Sequence, residues 1–150
     1  MNTKIYECMK EVFETNTPFS NFLGVKVLLD DAQNPYLRLD MQPHCIGNYM
    51  QSILHGGVIS SLLDIMGAIV AVEGVISRMA DEPKENIMKK FEKLGTIDMR
   101  VDYLRPGRGT FFIATGEAMR TGNKVSVVRT KLKNNENTLI AAGTGTYMVG

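Results

Sequence analysis

The chain has no tryptophan, two cysteines, Cys8 and Cys45, two histidines, His44 and His55, and five prolines in 150 residues. Two thiols make neither a disulfide framework nor a thiolate-rich zinc site, and free cysteines suit a reducing compartment, which points to the cytoplasm. Long apolar runs are also missing. The longest, counting glycine, is Ile65 to Val72, well short of the roughly 20 residues that span a bilayer. Near the N-terminus Glu7, Glu11 and Glu14 stand where an export signal needs an uninterrupted apolar stretch. The expectation is a soluble protein with no membrane partner. Excess charge of one sign is absent too: the formal net charge is +1, and with no aromatic-rich basic strand motif there is no case for nucleic acid.

What is present is ordinary globular composition, 44% hydrophobic and 22% charged, in a chain long enough to bury a full core. There is no internal repeat, low-complexity tract or linker, so residues 1–150 are expected to form a single domain. The charge is unevenly spread. Residues 1–95 carry 9 basic and 12 acidic side chains, and residues 96–150 carry 8 basic and 4 acidic, so the C-terminal part suits an anion.

Between Thr3 and Thr15, the spacing of Ile5, Cys8, Met9, Val12 and Phe13 predicts an amphipathic helix, which NTPFSNFLG then breaks. Val25–Leu29 and Tyr36–Met41 read as a hairpin across the polar turn DDAQNP, and Pro43–Leu54 as a loop. Gly56 to Val72 is apolar nearly all round, as a buried helix is. Pro83 opens a short charged helix with Ile87, Met88, Phe91 and Leu94 on one side. From Gly95 the texture is that of strands, with Ile97, Met99, Val101 and Tyr103 alternating with Asp98, Arg100 and Asp102, and three more strands at roughly 110–119, 124–133 and 138–148. Strands joined mostly by turns make an antiparallel sheet, and the apolar helix must lie against it, an α+β architecture.

Asp64 is the one charged residue in that apolar helix. A carboxylate there is paired, neutralised or faces a polar cavity; pairing with a sheet arginine or an exposed helix face is the plain structural alternative. Gly56, Ser60, Asp64, Gly67 and Ala68 fall at three- and four-residue steps, a small-residue stripe that something approaches closely, either another helix or a ligand. His55-Gly56-Gly57 opens the same helix, where first-turn amides lack an intrahelical acceptor and the dipole favours negative charge, so a glycine N–H there can meet an oxyanion. His44 and Cys45 read as loop residues, and a metal site from His44, His55 and Asp64 lacks ligand spacing on one element. Gly56 and Asp64 are eight residues apart, about 12 Å along one helix, too far to serve one carbonyl. If both act on one substrate, two antiparallel copies of the helix must meet, giving a symmetric dimer with two shared sites.

The run HGGVISSLLDIMGAIVA resembles the HGG(x)nL(x)D signature of hotdog-fold acyl-CoA thioesterases of the phenylacetate-pathway (PaaI-like) type. TIDMRVDYLRPG, GEAMRTGNKVSVVRTKL and LIAAGTGTYMV are similar to that family's later strands. The resemblance implies a hotdog fold, a long helix wrapped by a curved antiparallel sheet, in dimers that often pair into tetramers. It implies hydrolysis of fatty or aromatic acyl-CoA esters, with coenzyme A as part of the substrate and no metal or other cofactor. By the same resemblance Gly56 supplies the oxyanion N–H and His55 supports that turn. Asp64 of the partner chain is general base or nucleophile, Thr96 helps hold the water, and Asn48 matches an asparagine upstream of HGG at one residue's greater distance. The segment 73–93 is longer than the family's and is placed to reshape or cover the acyl pocket. Arg105, Arg108, Arg120, Lys124 and Arg129 suit the coenzyme's phosphates as a group, since guanidinium and phosphate pair in a fork geometry. Two other readings use the same fold, a non-catalytic acyl-CoA sensor and a dehydratase. The first would be expected to carry a DNA-binding module, and the second has a histidine setting that is not visible in this chain.

Overall fold

Asn2 opens the first helix, its side chain accepting from the Lys4 and Ile5 amides, and α1 runs Thr3–Lys10 before widening into a π-helical stretch, Glu11–Asn16. The computed structural model describes residues 1–150. The expected stripe is the buried side of this helix, with Ile5, Cys8, Met9 and Phe13 in the core, each large apolar side chain contributing about 1.5–3 kcal/mol. NTPFSNFLG does not simply break the helix. Pro18–Leu23 forms a second one, α2, with proline at its start and Gly24 closing it at φ 78°.

The hairpin forms as expected, β1 (Lys26–Leu29) against β2 (Pro35–Asp40). The long helix α3 spans Gly56–Ile76, continuing past the expected end into a 3-10 turn, Ser77–Met79. By length and composition it is apolar enough to cross a membrane, but most of that stretch is buried as the core helix of the sheet. Then come α4 (Lys84–Glu92) and the strands β3 (Gly95–Tyr103), β4 (Phe111–Thr121), β5 (Val125–Asn134) and β6 (Leu139–Met148). The six strands are antiparallel in the order β1-β2-β4-β5-β6-β3. Their buried residues, among them Leu37, Leu39, Phe112, Ala114, Val128, Leu132 and Tyr147, face α3.

The excursion after α3 packs back on the N-terminal helix. Ile87 is fully buried, Phe91 meets Phe13 edge-on at 5.9 Å, Lys84 pairs with Glu11, and the Lys4 ammonium donates to the Ala80 and Glu82 carbonyls. It thus covers the C-terminal end of α3.

At Gly67 the close approach to the small-residue stripe is made within the chain, by a side chain of the sheet. A Cβ on Gly67 would stand 2.0 Å from the Tyr147 hydroxyl and 2.5 Å from its Cζ, so the ring of β6 occupies that space. Gly67→Ala is expected to cost about 1–3 kcal/mol by overpacking, read as a lower urea midpoint at unchanged slope. Gly56→Ala, whose Cβ would meet only Tyr103 at an ordinary 3.5 Å, is the contrast. Equal stability of the two variants would refute the packing of Tyr147 on α3.

Candidate active site

The entry to α3 is fixed from both sides. The His55 amide donates to the Cys45 carbonyl at 2.9 Å and the Leu54 amide to the Gly107 carbonyl at 2.9 Å, and Ile46 bridges Leu54. His55 is the N-cap, with φ −63° and ψ 138°, and its Nδ1 accepts the Gly57 N–H at 2.8 Å. The ring therefore presents Nδ1 as an acceptor, with its proton on Nε2. Capping Gly57 leaves the Gly56 N–H, at the first helical position, without an intrahelical acceptor. The Tyr103 hydroxyl, from the end of β3, donates to the Gly56 carbonyl at 3.2 Å and holds the same turn. Gly56, Ile59, Tyr103 and Arg105 share a hollow of about 360 Å³.

Two turns along, Asp64 is half-buried, and no cation lies within ion-pair distance of it, so the structural alternative of a sheet arginine does not hold. Its Oδ1 accepts from the Thr96 hydroxyl at 2.8 Å. Thr96 reaches it because the β3–β6 register shifts between Thr96 and Asp98. The bulge puts Thr96 opposite Tyr147, on the helix side of the sheet, and leaves Ile97 57% exposed, where strict alternation aligns Ile97 with Met99, Val101 and Tyr103. Behind the carboxylate the Tyr147 hydroxyl donates to the Asp64 carbonyl at 3.3 Å. Burial, and then the Asp64 charge, push that phenol far above its usual pKa, so it remains a donor.

Other residues singled out from the sequence lie apart. Asn48 is exposed, its side chain accepting from the Met50 amide in its own loop. His44 sits against Phe22, its Nε2 3.0 Å from the Phe22 carbonyl, so His44, His55 and Asp64 each have a different partner. Within one chain the five basic residues form no single group. Arg105 donates to the Leu139 carbonyl and Arg108 to Gln51, Arg120 and Lys124 flank the β4–β5 turn, and Arg129 stands on the outer face of β5 beside Glu117 and Lys131. Sequence reasoning misses Tyr103 and Tyr147. Tyr103 ends the apolar alternation of β3, and Tyr147 follows a run of small residues in GTGTYM, a pattern that leaves room for one large ring.

Residues 51–141 match the thioesterase superfamily. The chain belongs to that superfamily. It is 44% identical over 140 residues to the medium/long-chain acyl-CoA thioesterase YigI of Escherichia coli K12, a match covering 93% of this chain and 90% of YigI. The crystal structure of a thioesterase-superfamily-related protein from Shewanella oneidensis superposes with a TM-score of 0.91 at 45% identity, covering 99% of this chain and 97% of that one. For a putative thioesterase from Syntrophus aciditrophicus the values are 0.82, 37%, 97% and 96%. This thioesterase therefore has the hotdog architecture that its family resemblance implies, together with the N-terminal helix.

Proposed function

We propose that this protein hydrolyses medium- and long-chain acyl-CoA thioesters to coenzyme A and the free acid, in a cytoplasmic homodimer whose single 1–150 domains share two sites. The observation that carries the reading is the Asp64 carboxylate, free of any cationic partner and held by Thr96 on the half-exposed side of α3. Its relation to YigI supplies the substrate class. The thioester carbonyl oxygen accepts the Gly56 N–H, which is preorganised by the His55 cap and Tyr103. Asp64 of the partner chain, with Thr96, orients a water and takes its proton as the water attacks the carbonyl carbon. The C–S bond then breaks, and that proton goes to the departing thiolate. The route uses only protein groups and water.

Distance and open surface support the dimer. Gly56 and Asp64 are about 12 Å apart along one axis, so one chain cannot apply both to one carbonyl. Ser61, Asp64, Ile65 and Ala68 are only half-buried, and beside them β3, nine residues long, has one edge unpaired. A strand of that length is a natural place for a second copy to pair, bringing the two α3 helices together.

The experiment is free-thiol release from acyl-CoAs of increasing chain length. The expected result is a kcat/KM that rises from short to medium and long chains. No thiol release at any chain length would end the hydrolase reading in favour of a binding protein.

A further inference from the structure

Several of the chain's arginines and lysines already have partners within it. Arg38 and Arg100 are paired with Asp40 and Asp102, Lys26 and Lys84 with Glu14 and Glu11, and Arg105 and Arg108 are spent on Leu139 and Gln51. Among those with no carboxylate within ion-pair distance, Arg78, Lys90, Arg120 and Lys124 come from separate parts of the chain and gather at the β4–β5 turn. Arg78, from the 3-10 turn after α3, and Lys90, from α4, line one side of a cleft of about 420 Å³. Thr121, Gly122 and Asn123 line the other, with Gly74 of α3 between. Gly122 also borders the adjoining hollow that holds Arg120 and Lys124.

No carboxylate lines either hollow, and the nearby Glu73 is half-buried toward the N-terminal amine. Gathering cations around one turn costs Coulomb energy unless an anion joins them. Packing holds the arrangement in place. Gly74 lets the turn lie directly on α3, where a Cβ would stand 2.9 Å from the Thr121 hydroxyl, and the clamp of α4 on α1 through Phe13, Phe91, Glu11 and Lys84 fixes Lys90.

Distance says which anion. Gly74 lies ten residues beyond Asp64 on the same unbroken helix, about 15 Å along it. The pantetheine arm between a thioester sulfur and the pyrophosphate is equivalent to about four extended residues, about 14 Å. A carbonyl held at Asp64 therefore has its phosphates within reach of this cleft. Arg105, which shares a hollow with Gly56, is too near the reacting carbon to meet the far end of that arm.

We infer that Arg78 and Lys90, together with the β4–β5 turn, form the seat for the phosphate groups of coenzyme A, and that the 73–93 excursion exists to bring these two cations there. The inference rests on the acyl-CoA thioesterase reading and adds to it the residues that favour a CoA thioester over a short-thiol one.

The test compares wild type, R78Q/K90Q and R105Q/R108Q on an acyl-CoA and on the matching acyl N-acetylcysteamine thioester, which lacks the nucleotide. Losing two charge-assisted contacts should raise the KM of R78Q/K90Q for acyl-CoA at least about tenfold. Its kcat should stay within about twofold, and its kinetics on the short thioester should be unchanged. Adenosine 3′,5′-bisphosphate should compete with acyl-CoA on wild type and fail to do so on R78Q/K90Q. An unchanged KM, equal losses on both substrates, or the selective loss appearing in R105Q/R108Q instead would each overturn the assignment. If wild type hydrolyses no acyl-CoA, the functional reading falls by itself. Calorimetric binding of the bisphosphate to wild type but not to R78Q/K90Q would still support the cleft, and absence of binding to wild type would overturn it.

Discussion

Asp64→Asn is expected to lower kcat by at least about a hundredfold, the lower range for losing a general base and equivalent to about 2.7 kcal/mol of barrier. The substitution is clean because of where the carboxylate is held. Its Oδ1 accepts from Thr96, and an asparagine oxygen can accept the same hydrogen bond. The Tyr147 hydroxyl goes to the Asp64 backbone carbonyl, which the exchange does not touch. The urea midpoint should therefore hold while turnover collapses. Thr96→Val gives the companion measurement. It removes the donor that fixes the carboxylate, so it should lower kcat less than Asp64→Asn does, and it should cost almost nothing further in the Asp64→Asn background, because the two residues act as one unit. Near-normal turnover in Asp64→Asn would dispose of the proposed role, and additive losses in the double variant would separate Thr96 from it.

The features that place this site are unequally legible in the sequence. Asp64 stands out because a lone charge in an apolar helix has few physical explanations, and His55-Gly56-Gly57 because a helix must start somewhere. Both rest on local chemistry. The orientation of Thr96 depends instead on a bulge in the β3–β6 pairing, and a bulge is a relation between two strands that alternation along one of them does not contain. The same reason hides Tyr103 and Tyr147, whose hydroxyls reach α3 only once the sheet has wrapped it. In α2 the signals are local and present, Pro18 at the first position and Gly24 after the last residue, but the helix is only six residues long and its apolar Phe19 and Phe22 point outward, so periodicity gives no warning. The reach of α3 past Gly74 has a tertiary cause, since the glycine is there for Thr121 and does not end the helix. The basic residues show the limit of composition most plainly. Their number in the C-terminal part points to an anion, yet the unpaired cluster draws on Arg78 and Lys90, from an excursion in which acids and bases balance and which is joined to the β4–β5 turn only in three dimensions.

Two inactive proteins, Gly56→Pro and Asp64→Asn, should restore activity when mixed within one dimer. The structure makes Gly56→Pro a cleaner lesion than proline usually is. Position 56 is the first of α3, where proline is well tolerated and the missing N–H breaks no helical hydrogen bond. His55, at φ −63° and ψ 138°, already has the extended conformation that a following proline demands. What is lost is the N–H assigned to the oxyanion, a change expected to lower kcat by about two to three orders of magnitude. Gly56→Ala keeps that N–H with its Cβ 3.5 Å from Tyr103, and should remain active as the control. In a heterodimer of one Gly56→Pro chain and one Asp64→Asn chain, one site carries both lesions and the other carries neither. Co-refolding equal amounts yields about half mixed dimers, each with one good site of two, hence roughly a quarter of wild-type turnover if assembly is random and the sites are independent. A site built within one chain gives no such recovery, because every site in the mixture would then keep one lesion. Activity that stays at the level of the single variants, with heterodimers verified by mass, would mean that Gly56 and Asp64 do not meet across an interface, and the oxyanion hole and carboxylate would have to be sought in one protomer despite the roughly 12 Å of helix between them.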